Sequence, residues 1–173
     1  MNTAVLVLLA LTVVLGFLLT AQGERVRPPW GAVFLAGLLT LAAALAWAGG
    51  DAPSGIAEAA AVGAVLAAVA GGGPVATAVL RAADPAAVGV TGGPQDPEIL
   101  RGGAWIGILE RAAVAAMLLA GSAEGLVVVL AVKGLGRYAE LRAPAAAERF
   151  IIGTLASAMW AAACVGVAVL LRS

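Results

Sequence analysis

The sequence predicts an all-α fold, a polytopic bundle of about six transmembrane helices, and three observations carry that prediction. Hydrophobic residues make up 62% of the 173-residue chain, charged residues only 12%, and the mean hydropathy is +1.05. A water-soluble domain needs a surface of roughly 25–35% Lys, Arg, Glu and Asp, so only lipid lets so many apolar side chains face outward. The third observation is spacing: stretches of about 20 apolar residues, enough to cross about 30 Å of hydrocarbon, recur along the chain.

Taken in order, the first span covers residues 3–21 without a charge. It lacks the basic start of a signal peptide and its apolar run is too long for one, so it is read as a span. Residues 30–48 form the second, after Glu24-Arg25-Val26-Arg27-Pro28-Pro29, whose prolines separate two helices. The third runs over 55–80 with Ser54 as its expected N-cap, and its helical pattern is interrupted at Gly71-Gly72-Gly73-Pro74. Residues 82–103, rich in Gly, Pro and Asp, read as a long exposed loop. Spans at 104–120 and 126–141 follow as a hairpin around a tight turn at Gly121-Ser122, and the sixth covers 148–171. The whole chain reads as a single transmembrane domain.

The bias of Lys and Arg toward cytoplasmic loops orients this arrangement. With both termini outside, Arg25, Arg27, Arg81, Arg101, Arg111, Lys133, Arg137, Arg142 and Arg149 fall on the cytoplasmic side, and only Arg172 is left outside. Nine of ten basic residues on one side would be an improbable result of a miscounted span. Trp30 and Trp47, about 25 Å apart along the second helix, suit aromatic anchors at the two interfaces.

Composition also excludes functions. With no His and one Cys, the chain has no ligand set for zinc, haem or an iron–sulfur cluster and no disulfide framework, so no cofactor is expected. Ten basic residues against ten acidic ones give a net charge of zero and no nucleic-acid partner. No nucleophile–base arrangement is visible, which argues against an enzyme.

Helices in lipid associate through small residues that let backbones approach. Gly63, Ala67 and Gly71 on the third span, and Gly153, Ser157 and Ala161 on the sixth, are spaced for that role.

Ionisable groups at membrane depth are costly and mark candidate sites. Glu110 precedes the Ser122 turn by about twelve residues and Lys133 follows Glu124 by about nine, so both lie roughly 13–18 Å from the outer surface and should meet. On the fifth helix Lys133, Arg137 and Glu140 fall at i, i+4 and i+7, which is one face. With Arg111, Glu148 and Arg149 they make a polar cluster on the last three helices. It reads either as a structural ion network or as a water-accessible site for an ion, a proton or an anionic substrate. Lys133 is the one Lys among ten basic residues, and Lys, unlike Arg, can release a proton when desolvated. The Gly71-Gly72-Gly73-Pro74 break reads as a kink or helix end, or as a ligand-facing discontinuity.

Residues 103–171, 69 of the 173, resemble the C-terminal part of an uncharacterised family of bacterial multi-pass membrane proteins, a domain of unknown function. The resemblance rests on Ile106-Gly107-Ile108-Leu109-Glu110-Arg111, on Ala131-Val132-Lys133-Gly134-Leu135-Gly136-Arg137-Tyr138, and on Glu148-Arg149-Phe150-Ile151-Ile152-Gly153-Thr154-Leu155-Ala156-Ser157. The family's His-containing N-terminal motif has no counterpart here, so the likeness implies architecture only; the expected location is a bacterial inner membrane. The expected partner is the lipid bilayer, with a homo-oligomer or other membrane subunits. Two functions compete: transport or permeation of a small solute, ion or proton, and a non-catalytic accessory or assembly subunit.

Overall fold

The computed structural model describes residues 1–22, 30–84, 103–138, 140–142 and 144–172. Six α-helices are found among them: α1 (Asn2–Ala21), α2 (Trp30–Gly49), α3 (Ser54–Ala83), α4 (Gly103–Leu119), α5 (Ala123–Gly136) and α6 (Pro144–Leu170). A single 3₁₀ turn, Glu140–Arg142, lies between α5 and α6. The all-α expectation holds.

Burial follows helical periodicity. On α1 the buried residues are Val5, Leu9, Thr12, Gly16 and Leu19, alternating steps of four and three that define one seam. Thr12 is fully buried and satisfies its hydroxyl on the Leu8 carbonyl at 2.8 Å. The central helix is α3, which packs on α1, α2, α4 and α6. Its buried face is almost all small: Ala57, Ala60, Ala64, Ala67, Ala68, Ala70, Gly71 and Gly72. Large apolar side chains such as Val7, Phe17, Phe34, Leu41, Val62 and Leu66 point outward instead. On α3, small inside and large outside inverts the soluble pattern and matches a helix whose association depends on close backbone approach in lipid. Gly16 shows how close: a Cβ there would lie 2.7 Å from the carbonyl carbon of Ala70.

Side-chain contacts fix the directions. Leu9 meets Gly63 while Gly16 meets Ala70, so α1 and α3 run parallel. Trp160 meets Gly71 and Leu80 meets Gly153, so α3 and α6 are antiparallel. The Ala52 N–H donates to the Leu171 carbonyl at 3.0 Å, placing the start of α3 and the end of α6 at one end of the bundle. Trp30 and Trp47 lie exposed near opposite ends of α2.

Four helices, α1, α2, α3 and α6, are long and apolar enough to cross a membrane. The other two are short: α4 keeps the length that the sequence reading gives it, and α5 is shorter than expected. At 17 and 14 residues, α4 and α5 reach about 26 and 21 Å, against about 30 Å of hydrocarbon. The fifth helix ends at Gly136 rather than near residue 141, because two glycines in its last three positions weaken it. It also begins earlier, at Ala123, where the Ser122 hydroxyl accepts the Gly125 N–H at 3.1 Å. Gly121 supplies the turn with a φ of 66°. Ser54 does not cap α3 but is its first residue, after Pro53. The sixth helix begins four residues early, at Pro144, whose fixed φ suits a first turn. Most of the 82–103 loop lies outside the described residues.

Candidate functional site

Pro74 does not interrupt α3, which is continuous from Ser54 to Ala83. The helix-end and discontinuity readings of Gly71-Gly72-Gly73-Pro74 are therefore corrected: packing against four neighbours holds the helix together through its proline. What the glycines provide is a slot. A Cβ on Gly71 would lie 2.6 Å from the Trp160 indole, and one on Gly72 would collide with the stem of Arg111. Through this slot Trp160 Nε1 donates to the Ala67 carbonyl at 3.0 Å and Arg111 Nε to the Val69 carbonyl at 3.1 Å.

Arg111 is thus turned toward α3, about 100° around α4 from its neighbour Glu110. Glu110 faces α5, where Lys133 Nζ donates to its Oε2 at 2.6 Å. The antiparallel hairpin brings these two together as its register predicts. Lys133 also lies 5.8 Å from the centroid of the Phe150 ring on α6, so its ammonium joins three helices. The side chains of Lys133 and Glu110 are 19% and 22% exposed, so the pair is largely but not wholly sheltered.

The remaining cluster residues go elsewhere. Arg149 binds Asp84 at the C-terminal end of α3, with Nη2 at 2.8 Å and Nε at 3.0 Å from Oδ2. Arg137 caps α5 instead of extending it, so the shared face of Lys133, Arg137 and Glu140 does not form. The helix has already ended, and with it the 100° periodicity. Arg137 does have an interaction of its own. The Glu140 side chain lies outside the described residues, and Glu148 is exposed on α6.

Between α4, α5 and α6 a cavity of about 10 Å³ is lined by Glu110, Arg111, Lys133, Thr154 and Ser157, with an apolar rim that includes Val114 and Leu130. That is room for about one water-sized sphere. Thr154 is one of its lining residues, and the Thr154 Oγ1 is buried without a hydrogen-bond partner among the described residues. Thr154, Ser157, Trp160 and Asp84 escaped the sequence reading as site residues. The hydroxyls at i and i+3 on α6 were a legible signal for the first two, and the Asp84-Pro85 helix stop for the last.

No family model, no curated protein and no solved structure matches this chain.

Proposed function

We propose that the protein is an integral membrane protein that passes a proton or a water-sized ion through the polar site between α4, α5 and α6. The observation that carries this reading is a small cavity lined by an ion pair and by Thr154, whose hydroxyl is without a partner among the described residues, in a bundle whose other buried residues are nearly all apolar. Its size argues against organic solutes. Lys133 and Glu110, paired at 2.6 Å on the wall of the site, are the ionisable groups that a passing proton or ion would meet. No nucleophile–base pair or metal cage is assigned, and the reading is non-enzymatic.

The test is flux in reconstituted vesicles. Wild-type protein should collapse an imposed pH gradient faster than empty vesicles; Lys133→Arg, which keeps the ion pair, should slow it at wild-type yield and melting behaviour, and Glu110→Gln should slow it per folded molecule although it leaves the Lys133 charge unpaired. Wild-type vesicles no leakier than empty ones to protons and common small ions would end the transport reading.

A second reading has its own observation. Among the described residues α5 buries no side chain, and it leaves Val127, Val128, Val132 and Leu135 uncovered. A helix so bare of neighbours suits an accessory subunit of a larger membrane assembly, in which other helices or a second copy cover it. Co-purification in mild detergent of a stoichiometric partner or a symmetric oligomer tests that reading. The positive-inside bias supports a cytoplasmic face for the basic ends in both readings.

A further inference from the structure

We infer that the cavity between α4, α5 and α6 is a binding site for one small monovalent anion of the halide class, held by Arg111, Lys133 and the Thr154 hydroxyl. The first argument is charge. The cavity wall carries two cations, Arg111 and Lys133, against one carboxylate, Glu110. Glu110 is engaged with Lys133, and among the described residues no carboxylate lies in ion-pair contact with Arg111, whose Nε binds a backbone carbonyl. A net positive charge in a low-dielectric bundle is costly, and a monovalent counter-ion cancels it.

The second argument is the orphaned Thr154 Oγ1. A hydroxyl buried without a partner is costly, and a halide accepts a hydrogen bond from it. Ser157, one turn further along α6, lines the same space and adds a second hydroxyl donor. The third argument is size: a cavity that admits about one water-sized sphere admits a monatomic ion and excludes sulfate, phosphate and carboxylates. Glu110 opposes an anion, and its charge acts on Arg111 as well as on Lys133, but two cations against one carboxylate still leave the wall net positive. The site does not depend on flux: it holds as well for a structural ion as for a transported one.

The experiment uses the full chain in mild detergent, titrated with sodium chloride or sodium bromide against sodium gluconate at constant ionic strength. Chloride and bromide should raise the melting temperature saturably, and gluconate and sulfate should not. Thr154→Val, which keeps the shape and removes the donor, should weaken chloride binding about tenfold, the loss expected for one hydrogen bond to a charged group. Arg111→Gln should abolish the chloride response, and if that variant fails to fold, Thr154→Val alone decides. Equal melting in chloride and gluconate would overturn the site and leave a water molecule as its occupant. A response to the identity of the cation rather than the anion would overturn it too, by making Glu110 the ligand. Proton flux in vesicles reads the proposed function separately, so either can fail alone.

Discussion

Trp160 on α6 donates its indole N–H to the Ala67 carbonyl of α3 at 3.0 Å, and Gly71, one turn further along α3, provides the space its ring occupies. This joins the two helices that share the broadest contact in the bundle. The glycine and the tryptophan work as a pair, because either a methyl group on Gly71 or a smaller ring at 160 spoils the fit.

Gly71→Ala should therefore destabilise the protein by about 1–3 kcal/mol through overpacking, despite the better helix propensity of Ala. Gly37→Ala is the matched control, since a Cβ there meets nothing within 4 Å; it should be neutral or stabilising by up to about 1 kcal/mol. Trp160→Phe should cost less than Trp160→Ala, which opens a cavity worth about 3–5 kcal/mol. Unfolding in mild detergent measures all four, and a Gly71→Ala variant as stable as Gly37→Ala would contradict the close fit.

The Glu110–Lys133 pair should show coupling in a double-mutant cycle. Each single change to Ala leaves a charged partner in a sheltered place, while the double change removes both. The interaction energy should be about 1–3 kcal/mol. Partial exposure of both side chains keeps it toward the lower end. Additive single and double effects would mean that the two side chains do not meet in solution.

Legibility in the sequence tracked how local each signal was. Helix existence, the hairpin register that joins Glu110 to Lys133, and the small-residue seams Gly63, Ala67, Gly71 and Gly153 all follow from spacing along one or two neighbouring helices. What sequence could not supply was long-range. The continuity of α3 through Pro74 depends on helices that pack around it, and the target of Arg111 is a backbone carbonyl 42 residues away. Arg149 likewise finds Asp84 across 65 residues. The end of α5 at Gly136 was a local signal overridden by hydropathy, since Leu135 and Leu141 made the apolar run look longer than the helix.

The Arg149–Asp84 contact should matter less than the Glu110–Lys133 one, because its side chains are 27% and 36% exposed. Asp84→Asn should cost at most about 1 kcal/mol and should lose even that in high salt, as screened ion pairs do. A salt-independent loss of several kcal/mol would show that Asp84 holds the end of α3 by hydrogen bonding rather than charge.

Topology is the prediction with the widest consequence, and the α4–α5 hairpin makes it sharper. Whether this short pair crosses the membrane or dips in and returns, the chain leaves it on the side it entered, so α6 keeps its direction. The segregation of nine basic residues onto one side is then the same for four spans as for six. Only Ser122 at the hairpin tip tells them apart. Cys164 is fully buried, and its replacement by Ala clears the background for single cysteines at 54, 122 and 145. Six spans require labelling of positions 54 and 122 from outside and of 145 from the cytoplasm. A returning hairpin changes only position 122, which becomes cytoplasmic or unreactive. The bundle itself demands that 54 and 145 differ, because α3 and α6 are antiparallel and the Ala52–Leu171 hydrogen bond fixes which of their ends coincide. Labelling of 54 and 145 from one side would therefore mean that α3 or α6 does not cross.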